Sequence, residues 1–389
     1  MLSYFRNAGH GLSQPEISRA ISFARIMLIV GLVCVHFENF PNSAASPIAG
    51  LDIHNHPFAT WVDATIRLIF YTVVPLLSMI SGWLFFSFTG DAWATIKKRM
   101  RKRFISLYLP LLGWNAFYLA ATYTLWKFHP DYPLFDILNI KFATANLHNY
   151  IDAVTGATHR PIGFQFWFVR DLFVTAICSP VLWLMIRRVP YYGAAALLLA
   201  WLCNSHLIIF HRPDVVFFFY MGALVRQKQL RITIPLPVVI GLTGFYLSWA
   251  GLRALAPYVF EFNGYIGPEW LDVLTRAMRI VGVMGCWGLM YRVAQTKTGG
   301  KTGANFGGVA FFLHAAHWPL LAILKIELWP LLPAQTDFWM ILYYFCCIGL
   351  TVTIGTGLGL TLAYKLPRVF AAMNGGRLLE QTIKSPVLP

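Results

Sequence analysis

The amino-acid sequence predicts an all-α protein, a polytopic transmembrane helix bundle of about ten helices. The first observation is composition: 57% of the 389 residues are hydrophobic and only 12% are charged, whereas soluble domains carry about 25% charged residues. The second is that apolar runs of about 20 residues, the length that crosses a bilayer as a helix, recur along the chain. A mean hydropathy of +0.58 agrees with both.

The apolar runs place ten predicted spans. The span at 62–87 contains Pro75, which removes a helical N–H and predicts a kink or a break. The span at 214–227 is short for a membrane helix. The ten spans cover residues 21–40, 62–87, 105–126, 167–186, 192–210, 214–227, 234–252, 271–292, 305–325 and 338–364.

The distribution of basic residues predicts the orientation. With the N-terminus inside, 20 of the 31 Lys and Arg residues fall in inner segments, 6 in outer segments and 5 within spans, when Arg226, Arg292 and Lys325 at the span ends are counted in the adjoining segments. Cytoplasmic loops are enriched in Lys and Arg, so this count places both termini in the cytoplasm. The same bias explains the net charge of +15. The basic residues are spread over short loops, which argues against a nucleic-acid partner.

The chain is expected to form one transmembrane domain over residues 1–370, followed by a flexible cytoplasmic tail over 371–389. About twenty polar residues precede the first apolar run, so we expect no cleaved signal peptide. All six cysteines lie in apolar runs without a CxxC pair. This pattern predicts neither a disulfide framework nor a metal site.

Ionisable residues within the spans are the first candidates for a site, because they are costly in a membrane. Arg25 and His36 stand eleven residues apart in the first span, almost three helical turns, so they share one face about 16 Å apart. His314 and His317 lie one turn apart near the middle of the ninth span. This arrangement indicates either a polar path between the helices or a snorkelling arginine with structurally satisfied histidines.

The second span supplies another candidate. Ser78 and Ser81 are three residues apart, on one face of the helix, and Gly82 adjoins them. Small and hydroxyl residues of this kind serve helix packing in membranes. A role in a site fits the pattern equally well.

Basic residues mark three further places. Six of the seven residues at 97–103 are basic, which fits anionic lipid binding or a cradle for a phosphorylated cytoplasmic donor. Arg170 lies beside an aspartate where the fourth span begins. Arg276 and Arg279, one turn apart, add a polar face to the eighth span.

Taken together, these residues resemble the acyltransferase 3 family of bacterial membrane acyltransferases, over roughly residues 20–365. In the late span the family often has Tyr-Leu-Leu-His, so His317 takes the family position and His314 is an addition. The segments that carry the resemblance are the Arg25–His36 spacing, Ser81-Gly82-Trp83-Leu84, the basic loop that leads into Leu109-Pro110, Trp167-Phe168, and Phe312-Leu313-His314-Ala315-Ala316-His317.

The resemblance implies an O-acyltransferase of the bacterial inner (cytoplasmic) membrane that uses cytoplasmic acyl-CoA as donor and no metal. His36 corresponds to the essential histidine of the family and Arg25 to its partner arginine. Arg99, Arg101 and Arg103 correspond to loop arginines linked to donor use. Acetyl-CoA is the donor that family frequency implies, with a succinyl group as the alternative.

The acceptor that the resemblance implies is a hydroxyl of an extracytoplasmic polysaccharide or of its lipid-linked precursor. Cellulose, another exopolysaccharide and lipopolysaccharide all remain open. Membrane lipids and the polysaccharide synthesis or export machinery are the expected partners. The separate SGNH-type hydrolase domain of some family members is not expected, which suggests the stand-alone form of the exopolysaccharide or cellulose-operon type.

Within this interpretation His36 acts as a general base or as a nucleophile, and His317 belongs to the same site. Ser81 and Arg170 are candidates to stabilise the oxyanion that develops on the acyl carbonyl. The alternative function is a transporter or flippase for a polysaccharide precursor, which would also need intramembrane His and Arg residues. A sensor or a structural subunit of an export assembly is the third class.

Overall fold

The computed structural model describes residues 14–37, 53–88, 90–260 and 267–379, and within them the regular elements are all helical. A π-helix, Phe104–Tyr108, joins α4 to α5 without a break, and short 3₁₀ turns include Phe164–Phe166. The α-helices are α1 Gln14–His36, α2 Pro57–Phe70, α3 Val73–Phe85, α4 Ala92–Arg103, α5 Leu109–Phe128, α6 Leu147–Thr155, α7 Trp167–Ile177, α8 Ser179–Arg188, α9 Pro190–Leu202, α10 Pro213–Gln227, α11 Leu236–Ala254, α12 Glu269–Gln295, α13 Lys297–Phe306, α14 Ala310–Leu328, α15 Asp337–Lys365 and α16 Pro367–Met373.

The helical, multi-pass architecture predicted from the sequence is confirmed. In the described residues seven helices are long and apolar enough to cross a membrane, or eight if the bent pair α7–α8 is one span. The predicted spans at 192–210 and 214–227 correspond to α9 and α10, which have 13 and 15 residues. A span needs about 20 residues, so the count of ten stays a prediction, as does the cytoplasmic position of the termini.

The break expected near Pro75 lies one turn before it, at residues 71 and 72, between α2 and α3. Proline cannot donate a hydrogen bond to the carbonyl four residues earlier, which here belongs to Tyr71. The Thr72 hydroxyl donates to the Ile69 carbonyl at 3.1 Å, and the helix resumes with Leu76 N–H bonded to the Thr72 carbonyl. The two pieces together still form one apolar segment, Pro57–Phe85.

A second proline explains the bend in the fourth predicted span. Helices α7 and α8 meet at Cys178 with an angle of 59°, and Pro180 occupies the first turn of α8. Proline is tolerated in a first turn because that N–H has no partner within the helix. The chain therefore changes direction where a new helix can begin at low cost.

The described chain divides into two compact units. The first takes its residues from Met1–Leu32, Ala64–Lys102 and Asp171–Gly307, and the second from Val33–Asp63, Arg103–Arg170 and Gly308–Pro389. In the first unit, Gly82 of α3 and Gly222 of α10 let the two backbones approach closely. In the second unit, α14 packs along α15.

The chain near the predicted tail boundary is anchored in the second unit. The Asn374 side chain is buried; it accepts a hydrogen bond from Phe312 N–H at 3.1 Å and donates to the Gly308 carbonyl at 2.8 Å. Trp114 donates to the Met373 carbonyl at 2.9 Å. Residues 380–389 of the expected flexible tail lie outside the described residues. The domain boundary at residue 370 stays a prediction.

Candidate active site

Two histidines predicted to share a site meet in the second unit. His36 is the last residue of α1, and His317 lies in the middle of α14. His36 Nδ1 and His317 Nε2 are 2.7 Å apart, and both side chains are buried, with 7% and 0% exposed. The rings stack with centroids 5.0 Å apart. The structure thus joins residues that lie 281 positions apart in the sequence.

The hydrogen bonds of this pair define its tautomers. His317 Nδ1 lies 2.7 Å from the His314 carbonyl oxygen, which can only accept, so Nδ1 carries the proton. In a neutral imidazole the other nitrogen is then an acceptor, and His317 Nε2 accepts a hydrogen bond from Nδ1–H of His36. His36 consequently has its lone pair on Nε2. In that tautomer Nδ1 of His36 is the donor of the pair and Nε2 is its other ring nitrogen.

The position of His317 depends on a carbonyl that a proline leaves without its helical partner. Pro319 stands inside α14 and cannot donate to the Ala315 carbonyl four residues earlier. Tyr118 Oη donates to that oxygen at 2.7 Å and Gln165 Nε2 at 2.6 Å. Buried carbonyls require such partners, so these two side chains hold the turn that carries His317.

Tyr118 and Gln165 were not singled out from the sequence. The His-Trp-Pro segment at 317–319 is the signal that could have found them, since an internal proline exposes a carbonyl that distant side chains must satisfy. Aromatic packing adds to the support. The ring of Phe164 meets the ring of His36 edge-on at 4.8 Å and the ring of Trp318 at 4.9 Å.

A pocket of about 180 Å³ opens beside His36 in the second unit. It contains apolar and polar groups together, including two cations, Arg160 and Lys325. The lining residues are His36, Phe37, Ile137, Asn139, Arg160, Phe164, Trp318, Leu321, Ala322 and Lys325. The pocket therefore has room for a small group next to His36.

The loop that precedes α7 is fixed around Arg170, the predicted oxyanion candidate. Arg170 Nε donates to the Gly156 carbonyl and Nη2 to the Ala157 carbonyl, both at 3.2 Å. Asp152 accepts hydrogen bonds from Thr158 N–H at 2.7 Å and His159 N–H at 3.0 Å. At least two guanidinium N–H groups of Arg170 therefore hold this loop.

Other predicted site residues belong to the first unit. Arg25 lies in α1 and is half-buried, and Ser81 lies in α3 and is buried.

His314 is in the second unit with His317, and neither of its ring nitrogens has a hydrogen-bond partner. Its ring is instead edge-on to those of Phe166 and Phe168.

The basic loop is a helix here, α4, and its arginines differ in environment. Arg99 Nη1 donates to the carbonyls of Leu84 and Phe85 at 2.6 Å each, and Nη2 donates to the Ser87 carbonyl at 3.2 Å. Leu84 and Phe85 are the last two residues of α3, and Ser87 lies just beyond it, where the carbonyls of a helix run out of partners within the helix. Arg101 is exposed, and Arg103 is half-buried. Arg99 thus caps a helix, whereas Arg101 faces outward.

The two arginines of the eighth predicted span also have structural partners, all in the first unit. Arg279 Nη1 lies 3.5 Å from Asp214 Oδ2, which also pairs with Arg212 at 2.7 Å. Arg276 donates to the Leu202 carbonyl at 2.6 Å.

In the described residues no group of three or more His, Cys, Asp or Glu side chains could hold a metal ion.

The protein is a multi-pass helical membrane protein in which a pair of buried histidines lies beside a small pocket. A family model described as an acyltransferase domain, of acyltransferase family 3, matches residues 18–360. The chain belongs to this family and is a membrane O-acyltransferase, as the resemblance implied.

A curated relative matches over nearly the whole chain. The chain is similar to the succinoglycan biosynthesis protein ExoH of Rhizobium meliloti (strain 1021), with 26% identity over 377 residues, which is 93% of each chain. No solved structure matches the chain.

Proposed function

We propose that this protein transfers an acyl group from cytoplasmic acyl-CoA to a hydroxyl of an extracytoplasmic polysaccharide or of its lipid-linked precursor, in the bacterial inner membrane. The polysaccharide acceptor is supported by the similarity to a protein of succinoglycan biosynthesis. The family match supports acyl transfer. The observation that carries the proposal is the hydrogen bond between His36 and His317 beside the pocket.

In the proposed step His36 is a general base. Its Nε2 takes the proton of the acceptor hydroxyl while the hydroxyl oxygen attacks the thioester carbonyl carbon. The C–S bond then breaks, coenzyme A leaves as the thiolate, and the proton on His36 can neutralise it. General-base catalysis of this kind contributes about 10²–10⁴-fold to a rate.

His317 supports this step as a positioning residue. Its Nε2 accepts from His36 Nδ1–H, which fixes the ring of His36 and raises the basicity of its other nitrogen. Its own Nδ1–H is held by the His314 carbonyl at 2.7 Å. The same arrangement would serve a nucleophilic His36 that carries the acyl group for a moment. Because the lone pair on Nε2 is what both routes use, the geometry favours neither of them.

The donor side is proposed to lie with the basic residues of the cytoplasmic segment. Coenzyme A carries several phosphate charges, which arginine binds in a bidentate manner. Arg101 is exposed and suits this role, and Arg25 and Arg103 are proposed to contribute. Ser81 remains the proposed oxyanion donor. Arg170, with two N–H groups bonded to loop carbonyls, is proposed to position the outer loop.

The test uses purified protein in lipid nanodiscs with labelled acetyl-CoA and an oligosaccharide acceptor. The His36→Ala variant should lose at least about 10²-fold of the transfer rate while its expression and elution profile stay unchanged. His148→Ala is the matched control, because His148 is exposed on α6. Transfer by His36→Ala at a rate near that of the unmodified protein would refute the assignment. A transporter or flippase would release no free thiol from acyl-CoA.

A further inference from the structure

The pocket beside His36 is lined by positively charged side chains. Two of its lining side chains, Arg160 and Lys325, are cations, and none of the described lining residues is acidic. The cavity of about 180 Å³ is smaller than the roughly 300–1,000 Å³ of pockets that take whole ligands. Such a space suits one small group of a larger substrate, and its charge suits an anion.

Lys325 is the more informative of the two cations. It is the last residue of the predicted ninth span and is only 7% exposed, and a buried ammonium group is costly unless it has partners. Its Nζ donates to the Phe37 carbonyl at 2.9 Å and lies 4.4 Å from the centre of the Phe37 ring. Lys325 therefore faces the residue that directly follows His36.

Arg160 is exposed but sits on an anchored loop. Asn139 Nδ2 donates to the Pro161 carbonyl at 3.2 Å, Ile162 N–H to the Ala153 carbonyl at 2.8 Å, and Gly163 N–H to Asn115 Oδ1 at 3.0 Å. The backbone around Arg160 is thus held to three other segments of the unit. A fixed backbone keeps the guanidinium at the pocket, where its fork matches a carboxylate.

We infer that this pocket selects a substrate carrying a free carboxylate, with Lys325 and Arg160 as specificity-determining residues. The inference rests on the proposed function, since it names the chemistry of the group held next to His36. The carboxylate has two sources, the far end of a dicarboxylic acyl group on coenzyme A and an acidic sugar of the acceptor. Both present the same anion to the same two cations.

The test measures transfer by Lys325→Met and Arg160→Gln in four combinations of donor and acceptor. The donors are acetyl-CoA and succinyl-CoA, and the acceptors are a neutral glucan oligosaccharide and one containing glucuronate. Lys127→Met is the matched control, because Lys127 also lies over aromatic rings, at 4.9 and 5.4 Å, but outside the pocket. Lys325→Arg keeps the charge and should keep the preference.

For a dicarboxylic acyl group, the two variants should lower the ratio of succinyl to acetyl transfer at least tenfold on either acceptor. For an acidic sugar, they should lower the ratio of acidic to neutral acceptor at least tenfold with acetyl-CoA. Equal losses in all four combinations would show that Lys325 only caps the end of α1, and would overturn the inference. If Lys325→Met does not fold, the donor and acceptor transfer ratios of Arg160→Gln decide between these outcomes.

A binding measurement separates failure of this inference from failure of the proposed function. Succinate or glucuronate that binds the folded protein raises its melting temperature, and the rise should vanish in Lys325→Met and persist in Lys127→Met. Protein that shows the rise but no transfer in any combination would refute the acyltransfer proposal alone. Protein that transfers acyl groups with unchanged ratios and shows no rise would refute the carboxylate pocket alone.

Discussion

Gly82 of α3 lies directly against the backbone of Phe219 in α10, and Gly222 lies in the same way against Met79. A Cβ at either glycine would overlap a carbonyl oxygen of the other helix. Backbone approach of this kind is the packing that small residues allow between membrane helices. Of the two roles considered for the Ser78–Gly82 segment, packing is therefore the one that Gly82 performs.

We predict that Gly82→Ala destabilises the protein by about 1–3 kcal/mol or more, because backbone cannot move aside as a side chain can. The melting temperature of the purified variant in detergent should fall accordingly. Gly244→Ala is the control, since nothing lies within 4 Å of the added carbon there and alanine favours a helix over glycine by about 1 kcal/mol. Equal melting temperatures for the two variants would contradict the prediction.

The hydrogen bond from His36 Nδ1–H to His317 Nε2 predicts that substitutions of His317 lower the transfer rate to different degrees. A glutamine there can still accept the hydrogen bond from His36 Nδ1–H through its amide oxygen, whereas leucine cannot. His317→Leu should lower kcat at least about 10²-fold, and His317→Gln should lower it less. The measurement is the initial rate of transfer at saturating donor.

His314→Leu is the control for that series. The His314 ring nitrogens have no partner in the structure, and the carbonyl that holds His317 belongs to the backbone, which the substitution retains. Replacing an unpaired buried polar group by an apolar one is close to neutral or stabilising. Loss of activity in His314→Leu equal to that in His317→Leu would count against the tautomer assignment.

The basic segment yields a prediction that separates stability from donor binding. Arg99→Ala removes the hydrogen bonds to the end of α3 and should cost about 1.5–3 kcal/mol, the worth of bonds to a charged group. Arg101→Ala changes an exposed side chain and should raise the KM for acyl-CoA with an unchanged melting temperature. Both quantities should be measured for both variants. Identical behaviour of the two would refute the division of roles.

The loop around Asp152 should loosen in acid. Burial raises the pKa of Asp152, but the hydrogen bonds from Thr158 and His159 outweigh it and hold the pKa below its usual range. A depressed pKa stabilises the folded loop above the unfolded value of about 3.9, and this stabilisation is lost as pH falls through the folded pKa. Protease cleavage within the loop should therefore rise only below about pH 4.

Asp152→Asn should make the same loop sensitive to protease at neutral pH, because an amide is a poorer acceptor than a carboxylate for these bonds. Asp136→Asn serves as the control, since Asp136 is exposed on the 3₁₀ turn Pro133–Asp136. Limited proteolysis with an acid-stable protease and hydrogen exchange would both report the change. Cleavage of the Asp152→Asn loop no faster than that of the control would argue against the stabilising role of the Asp152 hydrogen bonds.

Much of the site could be found from the sequence because its residues are costly where they stand. A histidine or an arginine inside an apolar run of 20 residues is conspicuous, which is how His36, Arg25 and His317 were selected. The structure brings His36 and His317 together, and the catalytic role of all three stays a prediction. Arg99 shows the limit of this reasoning. A dense basic run predicts a cationic surface, but which arginine turns back to cap α3 depends on where that helix ends, and local composition does not contain that information.

The sequence by itself determined the membrane class, the helical fold and the histidines, because hydrophobic runs and the cost of buried charge are local properties of the chain. Only the tertiary structure decided that Nε2 is the basic atom of His36, since the tautomer depends on which carbonyl and which imidazole lie within 3 Å. It alone brought Tyr118 and Gln165 to the carbonyl that Pro319 leaves open, and Lys325 to the pocket beside His36. These contacts join residues far apart in the chain, and neither the periodicity nor the spacing of the sequence indicates that such residues lie close together in space.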